Sequence, residues 1–429
     1  MKQSMTLMNK NTPVMEFTGE LKYYTKEDFD DNKGLTGQPY IEATDFKILN
    51  NKLIPVSFFA PETEQTLLNK QFRTWFDRRL LSKKRVDVNL ENINWKGTAH
   101  FFSMTDQYWI RYDKTESWAD LNYFTNIQSD TLGDIIFSKN LANINQLYAN
   151  FDSPSLCTNG VVKKRWIQRI NEKINSDNPA DKIINSLYKC ARIDYGQTVV
   201  SEIMATRLLK KLKKIIPSLP DFVSYYLDIT GYEMCSVCTN FVYPNVECVT
   251  AAEIYGATPR NSNSKDVYSH LIEAINQYNI PDGKEYIDSI IIVDRYLMNY
   301  DRHLGNIIFL RNIETGEFIG GAPLFDFGNA FFTDAEKYES KFAPKREEEL
   351  LNMGKIPALS NEDMQEVNRI FQNCNFLNDK QKRSLYLNFC KNNDFLKMKQ
   401  IEKNAIHNVP GKNNDRNKMP KVSFNMDNF

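Results

Sequence analysis

The sequence predicts an α+β protein in which a mixed α/β N-terminal region with an antiparallel sheet precedes a mainly helical C-terminal region. Three observations carry this expectation. Short alternating runs of strand character are spread through the chain up to Asn240. Beyond Pro244, apolar residues recur at helical spacing. Among those helices stand two acidic clusters, Asn299-Tyr300-Asp301-Arg302-His303-Leu304-Gly305-Asn306 and Leu324-Phe325-Asp326-Phe327-Gly328, bracketing a strand-turn-strand pattern.

Residues 1–13, with Lys2, Asn9, Lys10 and Asn11 and no apolar period, read as a flexible start. Residues 14–151 read as a mixed α/β module. Its strand-like runs include Lys52 to Phe59 and Trp109 to Tyr112, and Thr66 to Leu81 is its helix. Trp75, Phe76, Trp95, Phe101, Phe102, Tyr108, Trp109 and Trp118 cluster here, a pattern used most often for core packing and less often for a peptide groove.

Residues 152–240 read as an ATP-binding sheet. Asn185 to Ile193 alternates with Leu187, Lys189, Ala191 and Ile193 on one face, so a lysine sits on an apolar side. An edge lysine that snorkels to water is the bland reading. The helix that follows, with Val200, Ile203, Met204, Leu208 and Leu212 in one stripe, carries Glu202 beside that stripe and makes it the partner expected for Lys189. Phe222 to Leu227 and Glu233 to Val237 read as an antiparallel pair around a turn at 228–232. Cys238, Thr239 and Asn240 then leave the sheet where a kinase hinge would meet adenine through its backbone.

Residues 241–403 read as the helical region. Helices are expected over Val267 to Tyr278, Tyr286 to Met298, Asn361 to Asn373 and Asp379 to Asn393, with a hairpin over 307–319 turning at Glu314-Thr315-Gly316-Glu317. The stretch 404–429 has neither period nor core and reads as a flexible tail.

Composition narrows the function. Lys+Arg and Asp+Glu both total 54, so the formal net charge is zero and no global field calls for direct nucleic-acid binding. No apolar run approaches the length of a membrane span. The 7 cysteines are an odd, dispersed set with no leader read ahead of them, which points to reduced thiols and a cytoplasmic protein. Cys235-Ser236-Val237-Cys238 lacks a second such pair and reads as strand rather than zinc site.

The acidic clusters carry the chemistry. Phosphoryl transfer needs a carboxylate that orients the attacking hydroxyl and accepts its proton, together with oxygen donors that hold magnesium against the phosphates. Asp301 suits the first role. Asn306, five positions on, and Asp326, folded back by the hairpin, suit the second, so the cofactors expected are ATP and Mg2+. His303 reads as a brace for the loop. The whole is a two-lobed protein-kinase-like arrangement, with Asp301 presented from a helix terminus.

With these residues assembled, the chain resembles the HipA-like serine/threonine kinases, in particular the Gram-positive and phage-associated branch with a catalytic Asp-Arg-His-x-x-Asn. Further likenesses are Leu53-Ile54-Pro55-Val56, Trp75-Phe76-Asp77-Arg78-Arg79, Thr105 to Ile110, and Thr158-Asn159-Gly160 followed by Lys163-Lys164-Arg165-Trp166. The resemblance implies Asp301 as catalytic base, Lys189 as ATP lysine, Asn306 and Asp326 as magnesium ligands, and Asn159 and Gly160 over the phosphates. It also implies a protein substrate, such as a translation component, an antitoxin-type partner, and autophosphorylation at Ser153, Ser155 or Thr158. In place of the glycine-rich run that usually follows the ATP lysine stands Cys190 to Gly196. A lipid or small-molecule kinase of the phosphatidylinositol-kinase-like type, and a catalytically silent nucleotide-binding module, are the rival readings.

Overall fold

A computed structural model of the chain describes residues 1–31, 33–85, 90–138, 147–191, 196–230, 233–260 and 265–407. The first part comprises β1 (Gln3–Asn9), β2 (Thr12–Tyr23), α1 (Lys26–Asp30), β3 (Pro39–Ile48), α2 (Gln65–Asp77), β4 (Ile93–Lys96), β5 (Tyr108–Arg111), α3 (Trp118–Leu121), α4 (Thr131–Phe137) and β6 (Leu147–Asn150). An antiparallel sheet runs β3-β2-β1-β5, and β4 pairs with β6 in parallel. Leu68, Phe72, Trp75 and Phe76 of α2 form one buried stripe. The Phe72 ring lies 5.0 Å from Phe17 and 5.4 Å from Phe46, between centroids, so the aromatic residues of this part are core.

Two local expectations fail here. The flexible start read at 1–13 contains β1, an interior strand of the sheet, with Met5, Leu7 and Met8 all buried. A bulge between Leu7 and Met8 breaks the alternation that would have announced it. Lys52 to Phe59 is not a strand. Pro55 has no N–H for a ladder, and the carbonyls of Lys52 and Ile54 accept from the Arg311 guanidinium instead.

The second sheet, ordered β7-β8-β10-β9, is antiparallel throughout: β7 (Lys164–Ile170), β8 (Ile183–Cys190), β9 (Tyr226–Thr230) and β10 (Glu233–Thr239), with α5 (Gln197–Ile215) between β8 and β9. Tyr188, Cys190, Cys235 and Val237 enter the core of the first part. Alternation turns Leu187, Lys189 and Ser236 the other way. Cys235 and Cys238 are three apart in one strand and join different cores, so they cannot share an ion. The end of the strand read to Ile193, and the centre of the turn read at 228–232, fall partly outside the described residues. Phe222 and Val223 lie outside the hairpin; Val223 N–H donates to the Leu324 carbonyl at 2.8 Å, which ties this segment to the approach to Asp326.

The third part holds β11 (Val246–Thr250), α6 (Ala251–Ala257), α7 (Val267–Gln277), α8 (Gly283–Leu297), β12 (Ile308–Asn312), β13 (Phe318–Gly321), α9 (Pro344–Asn352), α10 (Asn361–Gln372) and α11 (Asp379–His407). β12 and β13 are the expected hairpin, joined by β11 into a three-stranded sheet. α11 runs past the expected Asn393 into the region read as tail; residues 408–429 lie outside those described. Apolar faces of α5, α8, α10 and α11 make one core beneath the acidic clusters. Among the described residues no helix is long and apolar enough to cross a membrane.

Candidate active site

Strand register and one buried guanidinium assemble the site. β8 sets Lys189 opposite Lys164 of β7 and Ser236 of β10. The Lys189 ammonium lies 2.6 Å from Glu202 Oε1 and 2.6 Å from Asp326 Oδ1. The Ser236 hydroxyl donates to the other Glu202 oxygen. Lys189 is therefore no snorkelling edge residue but the centre of a buried ion cluster. Burial opposes its charge, yet the carboxylates of Asp326 and Glu202 hold its pKa above the usual lysine value. Burial likewise works against Asp326, but the Lys189 and Lys164 ammonium groups outweigh it and keep that carboxyl below its ordinary range. Glu202 goes the other way: full burial pushes it up against the pull of Lys189.

The loop carrying Asp301 is shaped from α8. Met298 caps that helix at φ 50°, and Asn299 N–H turns back to the Asp294 carbonyl at 2.9 Å. Asp294 is buried, and its two oxygens accept from Arg302 Nε at 2.9 Å and Nη2 at 3.1 Å, and from Asn299 Nδ2 at 3.0 Å. Arg302 Nη1 donates to the carbonyls of Asn306 at 3.0 Å and Phe325 at 2.8 Å. One side chain thus ties the helix, the far end of the loop and the residue before Asp326 together. Asp301, Asn306 and Asp326 all line the resulting cleft. His303 Nδ1 accepts from Gly305 N–H at 3.1 Å, the bracing role expected of it.

Asp301 is half-exposed, with Asn329 Nδ2 3.1 Å from one oxygen and Lys341 Nζ 3.4 Å from the other. Asp326 sits at φ 57°, a left-handed conformation that aspartate tolerates better than most residues, and its N–H donates to the Tyr225 hydroxyl at 3.3 Å. Neither Asp326 Oδ2 nor the Asn306 side chain takes a hydrogen bond among the described residues. Each residue leaves an oxygen unengaged, one anionic and one amide, and both line the cleft; oxygen donors of this kind suit a hard cation such as magnesium.

Asn159 and Gly160, expected to cover the phosphates, line the same cleft. Lys164 Nζ donates to the Asn159 carbonyl at 2.9 Å, and Gly160, at φ +98°, brings its backbone so near that an added Cβ would meet Lys164 Nζ at 2.8 Å. Burial and the neighbouring Lys189 lower the Lys164 pKa to about 8. Ser153 and Ser155 are buried beneath this loop, donating to Asp130 at 2.7 and 2.8 Å, whereas Thr158 lines the cleft.

The cleft encloses about 670 Å³, with Met104, Trp166, Leu187, Cys248 and Phe325 on an apolar wall and the two lysines at the polar end. Cys238, Thr239 and Asn240, expected to meet adenine, do not line it. The segment 103–106 does, with Cys248 N–H on the Thr105 carbonyl and Asn240 Nδ2 on the Met104 carbonyl at 2.9 Å. A cross-part contact of that kind has no signature in the local sequence. Sequence reasoning also missed Asp294, Asn329 and Lys341 as site residues, and reached Lys164 only through a family likeness.

No protein-family model matches the chain, and no curated protein does. Among solved structures it is similar to a chain of the Shewanella oneidensis MR-1 toxin–antitoxin complex of HipA, HipB and operator DNA, at 11% identity and TM-score 0.47, covering 95% of this chain and 100% of that one. It is also similar to the Helicobacter pylori proinflammatory kinase CtkA, at 15% identity and TM-score 0.39, covering 56% of this chain and 98% of that one.

Proposed function

We propose that the chain is a HipA-like, ATP-dependent serine/threonine kinase. The observation that carries the reading is the convergence on one cleft of a half-exposed carboxylate, an unengaged pair of oxygen donors and a lysine clamped between two carboxylates, in the order that phosphoryl transfer uses.

In this reading Lys189 and Lys164 hold phosphate oxygens, and Glu202 keeps Lys189 in place. Asn306 and Asp326 would hold magnesium, which supplies charge neutralisation at the phosphates. Asp301 orients the acceptor hydroxyl and takes its proton at a carboxylate oxygen. Met104, Trp166 and Leu187 offer apolar lining against which a base would pack. A silent module is expected to lack at least one such group; here each has a candidate. Autophosphorylation at Ser153, Ser155 or Thr158 belongs to the same proposal, with none of the three hydroxyls singled out: Ser153 and Ser155 donate to Asp130, and the buried Thr158 donates to the Ser155 carbonyl at 2.7 Å.

The protein substrate and a toxin role with an antitoxin-type partner belong to the same proposal and rest on the family resemblance, while a cytoplasmic location rests on the odd, dispersed set of cysteines. Incubation with magnesium and γ-labelled ATP tests the core of it. Phosphate should enter protein rather than lipid vesicles, and Asp301→Asn should abolish that transfer while ATP binding persists. Undiminished transfer in Asp301→Asn would remove the reading.

A further inference from the structure

We propose that Asn329 is the positioning residue for Asp301, an inference that rests on the kinase reading of that carboxylate. Asn329 lines the cleft, and its Nδ2 donates to Asp301 Oδ2 at 3.1 Å. An ionised carboxylate accepts hydrogen bonds and donates none, so the nitrogen end of the amide is the end that must face it. Asp301 belongs to the loop after α8, whereas Asn329 directly follows Asp326-Phe327-Gly328, 28 positions further along the chain.

A hydrogen bond between two accessible side chains contributes little to stability. What gives this one a use is the backbone that carries Asn329, which is held from both sides. Before it, Gly328 packs closely against Thr198 of α5. After it, the Ala330 carbonyl accepts from Ser201 Oγ of α5 at 2.9 Å, and Phe331 N–H donates at 2.8 Å to the carbonyl of Leu297, the last residue of α8. Ala330 N–H closes the turn on the Phe327 carbonyl at 3.0 Å, and Phe327, Ala330 and Phe331 are all buried. The exposed Asn329 side chain therefore stands on a fixed stretch of chain. The same helix that carries Glu202, and so holds Lys189, anchors the residue that holds Asp301. The helix that presents Asp301 anchors it as well.

That placement suits a base that must present one oxygen. Rotation about the Cβ–Cγ bond of Asp301 would offer the acceptor hydroxyl either oxygen over a range of angles, and such misplacement of reacting atoms slows transfer. With Oδ2 taken by Asn329, Oδ1 is the oxygen left to the acceptor; its charged neighbour is the half-exposed Lys341 ammonium, at 3.4 Å. As the acceptor oxygen bonds to the γ-phosphorus, the bond from that phosphorus to the β,γ-bridging oxygen breaks and its electron pair leaves with ADP. The hydroxyl proton passes to Oδ1. Oδ2 is then a carbonyl oxygen and still accepts from Asn329, so this hydrogen bond supplies orientation throughout the step and no charge. Its loss should appear in kcat and leave nucleotide binding to Lys189 and Lys164.

The test measures steady-state transfer by the full chain in wild type, Asn329→Ala, Asn329→Gln and Asn329→Asp. In Asn329→Ala, kcat should fall about 10- to 100-fold while KM for ATP changes less than about threefold and the melting temperature holds. Asn329→Gln keeps the amide donor on a longer stem and should recover part of the loss. Asn329→Asp keeps the shape, removes the donor and sets a second carboxylate against Oδ2. It should lower kcat and move the acid limb of the pH profile of kcat up by about one unit. Wild-type kcat in Asn329→Ala would overturn the proposal and leave the kinase reading standing. So would an equal loss in all three variants with the acid limb unmoved, since the segment and not its amide would then matter. A raised KM for ATP at unchanged kcat would overturn it too, by placing Asn329 on the nucleotide side. A wild-type chain that transfers no phosphate would sink both.

Discussion

Arg302 and Asp294, each almost wholly buried, meet through Nε and Oδ2 at 2.9 Å and again through Nη2 and Oδ1 at 3.1 Å. The pair lies beneath the cleft rather than in it. Its remaining nitrogen, Nη1, holds the backbone of Asn306 and of Phe325, so the separation of Asp301, Asn306 and Asp326 is set by a side chain that needs no contact with substrate.

Replacing Arg302 by methionine should therefore act twice. Asp294 would keep only Asn299 as a partner, and an unpaired buried carboxylate costs about 3–5 kcal/mol, to be read from urea unfolding at pH 7. Transfer activity should be lost as well. Arg302→Lys should keep part of the stability, because its charge remains, but should not restore activity, because one ammonium cannot reach Asp294 and both carbonyls in the fork geometry.

Lys164 makes nucleotide affinity depend on pH. Its pKa, lowered to about 8 by burial and by Lys189, means that the ammonium is charged below pH 8 and neutral above it. A bound phosphate favours the charged form, so ATP affinity should hold steady below pH 7 and weaken as pH rises through 8, by up to about tenfold per unit. Calorimetric titration of ATP across pH 6.5 to 9.5 checks this. In Lys164→Arg the dependence should flatten, since the guanidinium does not titrate there.

The Lys189 cluster links stability to pH in a direction that can be worked out. Asp326 has a folded pKa below its unfolded value, so its contribution is present in full above the ordinary carboxylate value, about pH 4, and is lost only below it, as pH falls toward the depressed folded pKa. In Lys189→Met the two buried carboxylates face each other without a cation, and both are better accommodated protonated. The gap in unfolding free energy between wild type and Lys189→Met should therefore be widest near pH 7 and narrow, without closing, as pH falls to 4. Parallel urea curves at pH 7, 5.5 and 4 measure it. A gap that stayed constant would mean that Lys189 packs as a hydrocarbon rather than as an ion.

Those expectations separate what the sequence disclosed from what it concealed. That Lys189 meets Glu202, and that Asp301, Asn306 and Asp326 share a cleft, was legible because periodicity assigns a face and motif spacing groups loop residues, and the β12–β13 hairpin was readable from its turn. What stayed hidden depends on long-range pairing. β1 was masked by a bulge and by the polar residues of its own turn. The 103–106 segment replaces Cys238, Thr239 and Asn240 on the cleft wall through bonds to β11 and Asn240 that no local pattern announces. Asn329 lies 329 − 301 = 28 positions from Asp301, on a backbone fixed by Ser201 and Leu297, which sequence reading had no reason to connect.

Gly328 offers a test of how tightly the Asp326 turn is held. An added Cβ would lie 2.7 Å from Thr198 Cγ2 and 3.4 Å from Lys189 Nζ, so the glycine is required by the approach of this turn to the start of α5 rather than by an unusual φ. Gly328→Ala should push the turn off Thr198 and draw Asp326 from Lys189, costing about 1–3 kcal/mol in stability and weakening ATP binding about tenfold or more. Thr198→Ser removes the methyl that the new carbon would strike while keeping the hydroxyl. The double variant should therefore recover a large part of both losses, a coupling that a double-mutant cycle reads directly. If the two changes simply added, the obstruction would lie elsewhere, and the close packing of Gly328 on α5 could not be what holds Asp326 in place.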